Sequence, residues 1–145
     1  MNDRVNYAGK CLALSVYYLS INDMKKILVT EDDPGLQDIY RIILERAGYS
    51  VTMYSNGNDL LQNNFDLPDL FLLDKQLSGT DGLEICKFLK SQPVTQNIPV
   101  IIISATVGIQ KLVNAVGADA FIEKPFEKKY LLQVLEEHLQ KTSAV

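Results

Sequence analysis

The chain has 145 residues, the size of one ordinary domain. It is 47% hydrophobic and 22% charged, a globular balance with enough apolar material for a core. A formal net charge of -4, with no long Lys/Arg run, excludes a global positive field that would draw nucleic acid or an anionic membrane.

Residues 1–23 come first and fit no regular pattern. Within them Cys11–Ile21 reads CLALSVYYLSI after Lys10. It is shorter than the about 20 apolar residues of a membrane span, and no small-residue cleavage pattern follows it. Met24 makes a plausible start, so 1–23 is expected to be a poorly ordered N-terminal extension, 24–141 the domain and 142–145 a tail. Cys11 and Cys86 form no CxxC pair, which argues against a disulfide framework or a zinc site and favours a reducing, cytoplasmic setting.

From Lys26 the pattern is regular. Ile27-Leu28-Val29 is apolar throughout, the mark of a strand buried on both faces, and stops at Glu31-Asp32-Asp33. Pro34-Gly35 opens a helix whose stripe is Leu36, Ile39, Tyr40, Ile43, Leu44 and Ala47, with Gly48 as C-cap. Residues 49–54 read as a second strand, Asn56-Gly57-Asn58 as a turn, and Leu60-Leu61 as part of a short helix. Residues 69–73 form a third strand that Asp74 ends, and residues 78–82 a loop. A third helix over 83–90 packs Leu83, Cys86 and Leu89 and stops before Pro93. Residues 98–103 are the most apolar strand, ended by Ser104. Ile109, Leu112, Val113 and Val116 mark a fourth helix closed by Gly117. A fifth strand over 120–123 leads into Lys124-Pro125, and a last helix over 130–140 packs Leu131, Val134, Leu135 and Leu139. Five strands alternating with five helices imply an α/β fold, a parallel sheet covered on both faces with right-handed crossovers.

Sites in such sheets form at the carboxyl ends of the strands. Those ends carry Glu31, Asp32 and Asp33, then Asp74, Ser104 and Lys124. Gathered carboxylates repel one another, and a hard divalent cation with oxygen ligands relieves that repulsion. A carboxylate can accept a phosphoryl group as an acyl phosphate, with Lys124 and Ser104 contacting its oxygens. Singly, each residue has a plainer reading. Asp32 or Asp33 can cap a helix, Ser104 a turn, Lys124 can be a solvated charge and Phe121 a core aromatic. The acids after strand one, Asp74, Ser104 and Lys124, falling together at the ends of strands one, three, four and five, favour the shared site.

At this point residues 26–141 resemble the receiver domain of two-component response regulators, on ILVTEDDP (Ile27–Pro34), LFLLDKQLSGTDG (Leu70–Gly82), IPVIIISA (Ile98–Ala105) and GADAFIEKPF (Gly117–Phe126). The resemblance implies a flavodoxin-like, doubly wound (βα)5 fold with strand order 2-1-3-4-5. It implies Asp74 as phosphoacceptor and Mg2+, with Mn2+ as a substitute, held by Glu31, Asp32, Asp74 and the backbone carbonyl of Gln76. Asp32 is then the more direct acidic ligand. Ser104 sits at the switch hydroxyl and Phe121 at the switch aromatic. Lys124 is the phosphate-contacting lysine, before a cis bond to Pro125. The implied function is a cytoplasmic signalling module, not a turnover enzyme. A sensor histidine kinase or histidine phosphotransfer domain supplies the phosphoryl group. The surface of helix four, strand five and helix five then controls a partner protein or a homodimer formed on phosphorylation. Nucleic acid and membrane are not expected partners.

Two departures stand out. Ser78 occupies a position often taken by Pro in that family, and the stretch from Ser104 to Gly117 is shorter than usual. The rivals are few. A haloacid-dehalogenase-type phosphatase needs a second acid where Gln76 stands, and a flavin-binding loop would meet repulsion from Glu31-Asp32-Asp33. A non-switching interaction module on the same scaffold is the remaining alternative. His138, the sole histidine, reads as a packing or surface residue.

Overall fold

The computed structural model describes residues 23–143 and Leu14. The expected extension, with Cys11, lies almost wholly outside the described residues. In chain order the elements are β1 (Lys26–Thr30), α1 (Pro34–Arg46), β2 (Ser50–Tyr54), α2 (Asn58–Leu61), β3 (Leu70–Asp74), β4 (Gln76–Leu77), β5 (Thr80–Asp81), α3 (Gly82–Lys90), β6 (Val100–Ser104), α4 (Gln110–Ala115), β7 (Ala120–Glu123) and α5 (Lys128–Ser143). The main sheet is parallel, in the order β2-β1-β3-β6-β7. Counting its five strands alone, that is the 2-1-3-4-5 order of a flavodoxin-like doubly wound sheet.

The continuous apolar runs explain the sheet, because successive side chains point to opposite faces and both faces are covered. Ile27, Val29, Leu70, Leu72, Ile101 and Ile103 point to one face, where Tyr40 and Leu44 of α1 and Leu131 and Leu135 of α5 pack on them. Leu28, Phe71, Leu73, Val100 and Ile102 point to the other, against Leu60, Ile85, Cys86, Leu89 and Val113. Each fully buried side chain of this kind contributes roughly 1.5–3 kcal/mol by leaving water.

Helix ends follow local chemistry. The Asp33 carboxylate accepts from the Leu36 amide at 2.9 Å and caps α1, with Pro34 at its first turn. Gly48 and Gly117 follow α1 and α4 with φ of 94° and 81°, a backbone that glycine adopts without steric cost.

The structure corrects several expectations. Ile39 and Leu112, assigned to buried stripes, are 50% and 55% exposed, and Ala47 is an exposed C-cap. The core-facing arc of α1 takes Leu36, Tyr40, Ile43 and Leu44, and Ile39 falls beyond its edge. The fourth helix has only six residues, too short to press two apolar sides on the sheet. The expected 78–82 loop contains half of an antiparallel hairpin, pairing Gln76 with Asp81 and Leu77 with Thr80. The third strand begins at Leu70, since Asp69 instead caps the sheet edge by accepting from the Lys26 amide at 2.7 Å. The fourth large strand begins at Val100, past Pro99, whose ring nitrogen cannot donate to a ladder. The last helix starts at Lys128 and runs to Ser143. Among the described residues no helix is long and apolar enough to cross a membrane.

Candidate functional site

The carboxyl ends of β1, β3 and β7 bring Glu31, Asp74 and Lys124 into one buried cluster. Parallel pairing in register puts Thr30 beside Leu73 and Asp74 beside Ile103, so the residues just past β1 and at the end of β3 share an edge. Asp74 is 5% and Glu31 2% exposed. Lys124 reaches them from the end of β7, donating to Asp74 Oδ2 at 2.5 Å and lying 3.7 Å from Glu31 Oε2. The Lys124–Pro125 bond is cis.

Each carboxylate also meets the backbone. Asp74 Oδ1 accepts from the Gln76 amide at 2.8 Å, and Glu31 Oε1 from the Asp33 amide at 3.0 Å. Glu31 Oε2 has no hydrogen-bond partner despite its burial. Burial first, and then the neighbouring Asp74 carboxylate, push the Glu31 carboxyl up to about 7, while the Asp33 amide and Lys124 pull the other way. Asp32 lies nearer solvent. Its carboxyl is held below the ordinary range, chiefly because the Ser78 hydroxyl donates to its Oδ2 at 2.9 Å. Burial, with the negative charges of Glu31 and Asp74 behind it, raises the Tyr40 phenol above its ordinary value.

Ser104 meets the cluster through the backbone, its carbonyl accepting from the Lys124 amide at 2.9 Å. Ser104 is 1% exposed at the end of β6, and its Oγ accepts from the Thr106 amide at 2.9 Å. Phe121 is partly buried and packs on the face of the sheet that α3 and α4 cover. Among the described residues no side-chain hydrogen bond or ion pair joins either one to Asp74, Glu31 or Lys124. His138 is accounted for by the Val134 carbonyl, 2.8 Å from its Nδ1.

Three contributors escaped sequence reasoning. Gln37 donates from Nε2 to the Glu31 carbonyl at 2.5 Å and pins the β1–α1 loop, a contact with no signature in the sequence. In the sequence Ser78 carries no signal of its contact with Asp32. Gly82 lets α3 start against the loop that follows β3: a Cβ there would stand 2.2 Å from the Asp74 carbonyl oxygen. The Asp81-Gly82 pair before an apolar run was its available signal, since Asp81 caps α3 by accepting from the Leu83 amide at 2.9 Å.

The cluster suits a cation that needs few protein ligands. Among the described residues no three His, Cys, Asp or Glu side chains form a ready metal cage. Glu31 Oε2 is a buried oxygen wanting a partner, and Asp32 and Asp74 present further carboxylate oxygens. One or two carboxylates, a carbonyl and retained waters are the habit of Mg2+.

A family model described as the response regulator receiver domain matches residues 27–136. The chain is 34% identical over 125 residues to the DNA-binding dual master transcriptional regulator RpaA of Synechocystis, covering 84% of the chain and 52% of that protein. It thus spans about half the length of the curated relatives it matches. A solved structure of a putative response regulator from Chloroflexus aurantiacus matches with a TM-score of 0.76 at 26% identity, covering 81% of this chain and 99% of that one. The receiver domain of a sensor histidine kinase from Pseudomonas aeruginosa, with a magnesium ion coordinated in its active site cleft, has a TM-score of 0.74. At 24% identity over 81% of this chain and 98% of its own, it shares the fold.

Proposed function

The chain belongs to the response regulator receiver domain family, and from that premise we propose that it is a phosphoacceptor switch that takes a phosphoryl group on Asp74. The observation that carries this reading is the part-buried Asp74–Lys124 contact beside buried Glu31, at the carboxyl edge of a parallel sheet. An acid buried with a lysine and a backbone amide is positioned and desolvated, as a carboxylate nucleophile requires.

The transfer breaks the bond between phosphorus and its donor, a phosphohistidine or an acyl phosphate, and forms a P–O bond on an Asp74 carboxylate oxygen. The donor leaves with the electron pair. Lys124 releases Asp74 Oδ2 as that carboxylate becomes an acyl phosphate and pairs with the phosphoryl oxygens instead. The Gln76 amide keeps the Asp74 side chain in one rotamer. Asp32, Glu31, Asp74 and the Gln76 carbonyl would hold Mg2+, or Mn2+ in its place, which when bound neutralises charge on the transferring phosphoryl group. The Pseudomonas aeruginosa receiver of the same fold holds a magnesium ion in its active site cleft, which is in keeping with a divalent cation here.

Output follows from a population shift. The phosphate draws Ser104 away from the Thr106 amide, Phe121 turns towards the vacated space, and the α4–β7–α5 surface changes its protein partner or self-association. The chain promotes its own phosphorylation and is not a turnover enzyme. A sensor histidine kinase or histidine phosphotransfer domain loads it, in the cytoplasm. The DNA-binding role printed for RpaA belongs to that protein.

Incubation with acetyl phosphate and Mg2+ followed by intact mass tests the reading, with Asp74→Asn and a metal-free control in parallel. The expected result is a gain of one phosphoryl group that needs both Asp74 and Mg2+. No gain in folded protein that also fails to bind beryllofluoride would instead favour a non-switching interaction module, with the Ser104–Thr106 bond and the short α4 as its structural basis.

A further inference from the structure

Ser78 is exposed at the tip of the β4–β5 hairpin, and Asp32 lies 46 residues earlier in the β1–α1 loop. Their 2.9 Å contact is a side-chain hydrogen bond between hairpin and loop, and the Ser78 backbone N–H adds a weaker interaction with the same carboxylate. We propose that Ser78 is a positioning residue for the divalent cation: its hydroxyl holds Asp32 by Oδ2, orients the carboxylate and leaves Oδ1 for the metal. This rests on the Mg2+-assisted reading above and names a determinant of how tightly the ion is held.

The hairpin is built to deliver that hydroxyl. Leu77 is buried in the core beneath it. Its two strands pair Gln76 with Asp81 and Leu77 with Thr80. The Gly82 amide donates to the Lys75 carbonyl at 2.8 Å, and Lys75 Nζ bonds Asp81 Oδ2 at 2.9 Å. Gly79 turns the tip with φ of 81°. Ser78 therefore sits on a braced support, whereas the Asp32 carboxylate does not. Its terminal torsion is broad and two-fold, so an untethered carboxylate samples orientations that cannot bind. Tethering one oxygen removes that freedom before the ion arrives, and affinity rises because less order remains to be imposed. A proline at this position could stiffen the hairpin but would offer Asp32 no donor.

Mg2+ titration of the whole chain by calorimetry, with amide shifts of Asp32, Gln76 and Ser78 followed in 1H–15N spectra, tests the proposal. Ser78→Ala is expected to weaken Mg2+ binding about three- to tenfold, the loss of one exposed charge-assisted hydrogen bond. Ser78→Thr keeps the hydroxyl and is expected to restore the affinity. Thermal midpoints of both variants stay at the wild-type value, since the side chain is exposed. Wild-type or tighter Mg2+ affinity in Ser78→Ala, or failure of Ser78→Thr to restore it, would overturn the role of Ser78 alone. Absence of Mg2+ binding in folded wild-type protein would overturn the metal assignment and this proposal together.

Discussion

The two edges of the main sheet handle charge in opposite ways. At the amino edge Lys90, 17% exposed in its side chain, donates to the Gln96 carbonyl at 3.2 Å, the Ile98 carbonyl at 2.9 Å and Asp119 Oδ2 at 2.8 Å. Asp119 also accepts from the Val100 amide, and Asp69 from the Lys26 amide. Positive and negative groups there are matched, although Gln92 Nε2 nearby lacks a partner. At the carboxyl edge Glu31 and Asp74 share Lys124, Asp32 meets a hydroxyl and not a cation, and the buried Glu31 Oε2 and Thr30 Oγ1 lack a hydrogen bond. The same strands feed both edges, so the strand sequences do not cause the difference. Matched charges hold loops in place, whereas an excess of one sign stores a demand that a cation or a proton can meet.

Gly82→Ala should give the largest effect, because its Cβ would meet the backbone of Asp74 and Lys75 at the carboxyl edge. Urea unfolding is expected to show a loss of about 3 kcal/mol or more, the upper range for overpacking. A near-neutral result would mean that the Asp74 loop can shift, and the carboxyl edge would then be softer than the contrast requires.

Lys90→Met comes next. It leaves two carbonyls and Asp119 short of a donor, at an expected cost of roughly 1–3 kcal/mol after allowing for the partial exposure of Asp119. Phosphoryl uptake from acetyl phosphate should stay at the wild-type level. Altered uptake at unchanged stability would show that the two edges are coupled.

Glu31 supplies a pH test of the carboxyl edge. Its folded pKa lies near 7, above the ordinary 4.5, so the folded protein holds this proton more tightly than the unfolded chain does. The resulting stability is present in full below about pH 4.5 and is lost as pH rises through 7. In EDTA the thermal midpoint should fall by roughly a few degrees between pH 5.5 and pH 8. Glu31→Gln should flatten that slope, and Mg2+, which favours the carboxylate, should bind wild type more tightly at pH 8 than at pH 6. A slope that survives Glu31→Gln assigns the proton to another group.

The smallest effect is expected at Arg41→Ala, which removes an exposed 3.5 Å pair with Glu45 far from either edge. Its cost should be below about 0.5 kcal/mol by thermal unfolding. A larger loss would mean that surface pairs rival the edge networks in this fold.

The sequence alone determined the alternation of strands and helices, the parallel sheet with both faces covered, and the polar residues that end each strand. Those are legible because side-chain periods of 2 and 3.6, proline, glycine and capping acids act over a few residues of chain. It misjudged Ile39 and Leu112, because helical spacing identifies an apolar side without fixing how wide an arc the sheet covers. Only the tertiary structure decided which charges meet. Lys124 reaches Asp74 across 50 residues, Ser78 reaches Asp32 across 46, and Lys90 reaches Asp119 across 29. Such contacts depend on strand order and loop path, and their strength on burial, neither of which is written in local spacing.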